Sequence, residues 1–424
     1  MALTTALVGD GPLHPPDDLR ERLLDPSSIA ARQARADRLL MADGAGHLVH
    51  DLPIRADGRL AAVTSRPWRL DPIPIVLDAA TFRWLSLAVA ERMEALEAVV
   101  GDLYGDRSLV SERIVPAEVL ASTDRFRVNA VGSDPRRWLT TYAVDLTLGA
   151  DGAWYVVQDL TDLPAGMGYS LLDRSVMSRV VPEIMTSVEI ASMARYPVSV
   201  RRALAAASQV ESPRTVVFSA GLDHPSYVDH SYLAVQLGLN LVEGADLVVR
   251  QRRVWLRTLD GLEPVDVLYR SVDDAMVDPL EVAARGSVGV PGILQAVRSG
   301  GVVMANAHGS GVLEAPEIQG LLPDATARIR PIEQALTALP PGGLPLASAP
   351  LAPGSLGGAA QAGVVLRLFA VHDGEGVAVM PGGTGRVLAP GDDPRTPTAC
   401  VAKDVWVMGR TVAPVVGVRL PQVN

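Results

Sequence analysis

Beyond Pro213 the chain settles into a repeating alternation of short apolar runs and helix-length stretches, and this limits its fold more than any other feature. Thr215–Ser219 reads as a strand, Tyr227–Leu237 as a helix and Leu239–Val242 as a strand. A hairpin joins Asp246–Val249 to Val254–Thr258. Strand Val265–Arg270, helix Val290–Arg298, strand Gly301–Ala305 and helix Glu314–Leu322 follow. Strands and helices of these lengths in alternation predict an α/β fold, with parallel or mixed sheets covered by helices.

The earlier half adds a long amphipathic helix with Leu85, Val89, Leu96, Val100 and Leu103 on one face, ending near Tyr104-Gly105. A hairpin is expected from Leu139–Leu148 and Trp154–Asp159 around a turn at Gly149–Gly152, and residues 173–206 read as helical. Short strands are expected between Asp51 and Val63 around Ala56-Asp57-Gly58. Residues 338–363 are nearly all Ala, Pro, Gly, Leu and Ser, a composition that predicts a flexible linker. The expected organisation is therefore an N-terminal helical and short-strand segment (1–65), a main α/β region (66–337), the linker (338–363) and a β-rich closing unit (364–424).

At 424 residues, with 48% of them apolar, the chain can bury more than one core. No apolar stretch is long and uncharged enough for a membrane span, so no membrane partner is expected. The start lacks the basic and apolar pattern of a signal peptide, and Cys400 is the sole cysteine, which excludes an internal disulfide and a thiolate zinc cluster. These features lead us to expect a cytoplasmic protein. A net charge of −10 argues against a general nucleic-acid binder. Lys403 is the one lysine among 38 basic residues; the rest are arginines, a bias that makes the surviving ammonium worth following.

Four places carry residues suited to chemistry. Gln158-Asp159-Leu160-Thr161-Asp162 runs from a strand into a loop with Gly166 and Gly168, where backbone N–H groups can approach an anion and Asp159 or Asp162 can hold Mg²⁺; a tight turn with solvated acids explains the pattern about as well. Next, Arg270 stands just behind Asp273 and Asp274 at a strand end. Mg²⁺ favours one or two carboxylates plus phosphate oxygens, and arginine takes an oxyanion bidentately, whereas the plainer reading is helix capping by Asp278. The third, Asn306-Ala-His-Gly-Ser-Gly311, is a strand entering a glycine-rich loop, in which His308 reads first as a loop hydrogen-bonder. The fourth joins Arg367, Gly382-Gly383 and Lys403-Asp404: two cations flanking a Gly-Gly turn suit a triphosphate, and a local Lys–Asp ion pair is the alternative.

Taken in order, Arg66-Pro-Trp-Arg-Leu-Asp-Pro-Ile-Pro, Asp102-Leu-Tyr-Gly, Pro164 to Tyr169, Tyr227-Val-Asp-His-Ser-Tyr, Asp273-Asp-Ala-Met-Val-Asp-Pro-Leu, Ala305-Asn-Ala-His-Gly-Ser-Gly-Val-Leu-Glu, Met380-Pro-Gly-Gly and Lys403-Asp-Val-Trp-Val resemble the circularly permuted ATP-grasp family, among relatives of glutathionylspermidine synthetase type. The resemblance covers nearly the whole chain. It implies an ATP-grasp-like fold and an ATP- and Mg²⁺-dependent carboxylate–amine ligase working through an acyl phosphate. Its partners would be small-molecule or peptide carboxylates and amines, along with other proteins encoded beside the family. Onto this sequence it carries Asp159, Asp273 and Asp274 as metal ligands, and Lys403, Arg367, Gly382, Gly383, Gly309 and Gly311 as nucleotide contacts. Arg270 and Asn306 become the catalytic and substrate-positioning residues. Two departures stand out. Gln158-Asp159-Leu160 replaces the family's Glu-Asp-Asn, and the segment 338–363 replaces a longer Trp-containing stretch of the nucleotide cleft. They support an alternative in which the chain is a catalytically degenerate ATP-grasp protein acting as a binding or regulatory partner.

Overall fold

A computed structural model describes residues 13, 15–50, 63–222, 224, 226–282, 288–340, 343–353, 355–356, 359–397 and 401–409. The expected strands between Asp51 and Ala62, and Cys400, lie outside them. The chain builds two principal sheets. The larger contains β1 (Arg69–Leu77), β2 (Thr141–Leu148), β3 (Trp154–Leu160), β8 (Gln361–His372), β9 (Thr384–Val387) and β10 (Val401–Val407). The smaller is made of β4 (Thr215–Ser219), β5 (Asn240–Val242), β6 (Val267–Ser271) and β7 (Val303–Ala305).

In the large sheet the order is Thr337–Ala338, β3, β2, β8, β9, β10, β1. Its neighbours are antiparallel except at the two edges, where β10 runs parallel to β1 and Thr337–Ala338 parallel to β3. One face is covered by α1 (Ala79–Tyr104). Asp78 starts this helix by accepting from Ala80 and Thr81 N–H at 2.8 and 2.9 Å, and the predicted stripe from Leu85 to Leu103 is fully buried. The other face receives α2 (Met167–Val180), with Tyr169 and Val176 packed against Trp406. The small sheet is wholly parallel, in the order β7-β6-β4-β5. It joins the large sheet through a core in which Met167, Phe369 and Met380 meet Val217, Val267 and α3 (Tyr227–Leu237). Among the described residues no helix is long and apolar enough to cross a membrane.

Two expectations about domain organisation are corrected. The Ala/Pro/Gly segment is stitched to the large sheet: Leu339 N–H donates to Val156 O (2.8 Å), Ala347 N–H to Leu148 O (2.9 Å), and Ser348–Pro350 pairs with β8. Leu339, Ala349, Leu351 and Ala352 are buried. Pairing with the strands in this way gives the segment's backbone polar groups their partners. The described residues of 364–424 likewise form no separate unit, because β8, β9 and β10 are interior strands between β2 and β1.

Candidate functional site

Register decides which side chains of the large sheet share a face, since cross-strand neighbours project to the same side and the next row to the other. Gln158, Asp145, Arg367, Thr384 and Asp404 form one row across β3, β2, β8, β9 and β10. Leu146, Leu366, Gly385, Lys403 and Asp71 form the adjacent row. Arg367 and Lys403, expected to grip one triphosphate, therefore project from opposite faces. Lys403 is fully buried; its Nζ donates to Asp71 Oδ1 (3.0 Å) and Ile73 O (2.7 Å). Asp71 Oδ2 accepts from Ala352 N–H (3.0 Å), so the lone ammonium anchors the stitched segment and does not reach a cleft.

On the α2 face, Asp145 is the hub. Arg367 reaches Oδ1 through Nε (2.7 Å) and Oδ2 through Nη2 (2.8 Å). Arg386 Nη2 (2.5 Å) and Gln158 Nε2 (2.7 Å) also donate to Oδ2. Burial opposes ionisation of Asp145, yet the two guanidinium groups hold its carboxyl down at about 2. A charged residue inside the apolar strand Tyr142-Ala-Val-Asp-Leu was the available signal for this hub, because a buried carboxylate demands cationic partners. Beside it lies a cavity of about 170 Å³ lined by Trp68, Gly166, Tyr169, Arg367, Thr384 and Arg386 among others. A larger hollow of about 850 Å³, between Leu344 and Arg395, is bordered mainly by Gly, Pro and Leu, and its charged lining is Asp392, Asp393 and Arg395, with one cation against two acids.

The loop from β3 to α2 links this hub to a second polar cluster. The glycine-rich turn expected to receive an anion already has one: Asp229 accepts from Gly166 N–H (2.7 Å) and Tyr169 N–H (3.0 Å). A Cβ on Gly168 would sit 2.2 Å from the Asp229 carbonyl oxygen, so this glycine serves close packing. Deeper, Arg270 donates to Asp162 Oδ1 at 2.6 Å and to Val272 O at 2.8 Å. Burial raises the Asp162 carboxyl; Arg270 draws it back, and Asp274 and Asp273 push it up again, leaving it above the usual carboxylate range. Glu314 accepts from Thr161 N–H (2.6 Å), Asp162 N–H (2.7 Å) and Arg125 (3.1 Å). Burial, with Asp162 nearby, lifts Glu314 to about 6.

Asp274 is enclosed: Oδ1 meets His308 Nδ1 at 2.5 Å, and Oδ2 accepts from Arg127 Nε (2.9 Å) and Gly309 N–H (3.0 Å). Burial disfavours its charge, but His308, Arg270 and Arg127 together hold its carboxyl well below the usual range. His308 Nε2 faces Asn129 Oδ1 at 2.9 Å. Asp273 caps the turn after β6 by accepting from Ala275 N–H (2.7 Å), and Asp278 caps through Leu280, Gly292 and Leu294 N–H. Gly309 has φ +97° and packs under Tyr104, and Gly311 packs against Asp162. Gly383 lets the turn into β9 pass the Arg367 carbonyl, 2.3 Å from where a Cβ would stand; Gly382 faces Met193 in the same way.

Asn306 is committed to structure. Its Nδ2 donates to Thr141 O and Thr161 O (both 2.8 Å), and its Oδ1 accepts from Thr141 N–H (2.9 Å), tying β7 to the ends of β2 and β3. Asp159 projects to the α1 face, where Arg92 holds it bidentately (2.7 and 2.6 Å) and Tyr142 adds a third bond. The proposed metal ligands thus do not converge: Asp159 and Asp274 have both oxygens engaged, each by its own set of partners. Among the described residues no group of three or more His, Cys, Asp or Glu is arranged to hold a metal ion. The carboxylates as placed do not fit a Mg²⁺ site.

The model of the circularly permuted ATP-grasp type 2 family matches residues 74–341. An uncharacterized protein of Mycobacterium tuberculosis is 33% identical over 400 residues, covering 80% of this chain and 45% of its own length. One from Synechocystis is 34% identical over 263 residues, covering 61% and 55%. The chain spans about half the length of the curated relatives it matches. A solved glutathione synthetase like-effector from Globodera pallida aligns with 91% of this chain and 98% of its own, at 11% identity and a TM-score of 0.46.

Proposed function

Because the chain belongs to the circularly permuted ATP-grasp type 2 family, we propose that it serves ATP-dependent ligase-type chemistry, joining a carboxylate to an amine through an acyl phosphate. The observation that carries this reading is the Arg367–Asp145–Arg386 hub beside its cavity. A substrate carboxylate oxygen attacks the γ-phosphorus and ADP leaves; the amine then attacks the acyl carbon, phosphate leaves and the nitrogen loses a proton. Negative charge builds on the transferred phosphoryl oxygens in the first step, and paired guanidinium groups suit that charge. The family generally uses ATP and Mg²⁺, but no step here is assigned to a metal, since the carboxylates do not fit one.

A second reading, a catalytically degenerate ATP-grasp protein that binds or regulates a partner, draws support from Lys403, Asp159 and Asp274, which are all spent on internal partners. Hydroxylamine trapping separates the two. In the presence of Mg-ATP and a panel of carboxylic acids, a ligase yields a hydroxamate with at least one acid. Nucleotide-dependent thermal stabilisation with no hydroxamate and no ADP release across the panel selects the degenerate reading; ligand at about 100 times its Kd adds roughly 2.7 kcal/mol to stability.

A further inference from the structure

The row Gln158–Asp145–Arg367–Thr384 offers a different way of holding an anion. Asp145 accepts four hydrogen bonds, three of them from two guanidinium groups and the fourth from the Gln158 amide. A divalent cation arriving there would have to strip both arginines from the carboxylate and then sit beside their charges. Neither Gln158 nor Leu160 supplies an anionic ligand in compensation. Among the described residues Asp145 is the one carboxylate that hydrogen-bonds both guanidinium groups, so the two arginines together outnumber it by one charge. Asp229, whose carboxyl burial raises, is occupied by the Gly166 and Tyr169 amides, and Glu314 by those of Thr161 and Asp162. Arg386 Nε is buried without a hydrogen-bond partner. Burial draws the Arg386 guanidinium down to about 10, Asp145 raising it and Arg367 lowering it further, so it stays charged at neutral pH.

We infer that the cavity bordered by Arg367, Arg386 and Thr384 binds a phosphoryl oxyanion without a divalent cation, the second arginine providing the charge that a metal would otherwise bring. Arg367 is pinned on three sides, by Asp145 twice and by Ala165 O (2.8 Å), so its fork is fixed before any ligand arrives. Arg386 is the adaptable member, a quarter exposed and holding Asp145 through a single nitrogen. Binding of this kind rests on the ligase reading only for the place of the phosphoryl group and is independent of whether an acyl phosphate forms.

The test is calorimetry on the full chain with ATP, pyrophosphate and inorganic phosphate, each with excess EDTA and, for ATP, again with Mg²⁺. The expected result is saturable ATP binding in EDTA within about threefold of its affinity in Mg²⁺, weakened at least tenfold by Arg386→Gln and less by Arg386→Lys. Phosphate or pyrophosphate competing with ATP marks the site as one for the phosphoryl group alone; failure of both to compete at millimolar concentration places ATP elsewhere and overturns the inference. A tenfold or greater loss of ATP affinity in EDTA, or no binding in either medium, overturns it as well. The EDTA comparison uses the unaltered chain, so a variant that misfolds leaves the test intact. Metal-independent binding with no hydroxamate retires the ligase reading alone, and strictly Mg²⁺-dependent binding with hydroxamate retires this inference alone.

Discussion

Lys403 shows how one residue can mislead a reading by composition. Its rarity marked it as a phosphate contact, yet a strand register that no composition encodes sends it to the α1 face, where Asp71 meets it. Burial lowers the Lys403 ammonium and Asp71 partly restores it. Removing one member of a buried pair strands the other, so Lys403→Met should cost about 3–5 kcal/mol in urea unfolding. Lys403→Met/Asp71→Leu should recover most of that loss; a Lys403→Met chain as stable as the parent would contradict the pairing. Glu314 gives a pH signature. Its carboxyl rises from 4.5 unfolded to about 6 folded, so the native state binds the extra proton between those values. Stability from this group is present in full below pH 4.5, declines as pH rises through 6, and the total is about 2 kcal/mol. Glu314→Gln keeps an oxygen acceptor for Thr161 and Asp162 N–H and should remove that slope. The measurement is urea stability of both chains at half-unit steps from pH 4 to 7, where equal slopes would sink the assignment.

At the scale of elements, the sequence was most legible where local pattern and tertiary demand agree. Thr215–Ser219 and Tyr227–Leu237 have the same bounds in the expectation and in the fold, because β-branched runs and a 3.6-residue stripe each admit one buried face. The stretch Val265–Arg270 is less regular than expected: a strand ends at Val265, and β6 restarts at Val267. Segment 338–363 was illegible for a physical reason: Ala, Pro and Gly carry no periodicity, and what orders this stretch is hydrogen bonding to strands nearly two hundred residues earlier. Its role in the sheet can be tested by Ala349→Glu and Leu351→Glu. In a linker, such changes stay within about 0.5 kcal/mol. Buried beside β8, each should cost more than about 2 kcal/mol and lower the urea midpoint, because a carboxylate is placed inside an apolar cluster. For the site, the acids and arginine near β6 could be picked out from local pattern. Asp145 left only the trace of a charge inside an apolar strand, and its partner Arg386 left none, because their pairing depends on four strands lining up.

On the scale of the whole molecule, the open matter is what makes two sheets behave as one body. The apolar core between them supplies most of the adhesion, but it is non-directional and would tolerate sliding. Direction comes from Asn306, which bonds Thr141 and Thr161 from the end of β7, and from Arg270, which bonds Asp162 from the end of β6. Both latches hold the segment between β3 and α2, the same segment that separates the Asp145 hub from the Asp274 cluster. A residue expected to position substrate thus positions one half of the fold against the other. Asn306→Ala would leave Thr141 N–H, Thr141 O and Thr161 O without partners, at about 1–3 kcal/mol for each buried group. The loss should fall unevenly. In the parent chain, amides of β4 and β6 and those of β2 and β8 should exchange with similar opening free energies, as parts of one cooperative unit. In Asn306→Ala, β4 and β6 should open several kcal/mol more readily while β2 and β8, still held by α1, keep most of their protection. Hydrogen exchange resolved by peptide reads this directly, and a uniform loss across both sheets would mean that Asn306 stabilises the body as a whole and is no latch between its halves.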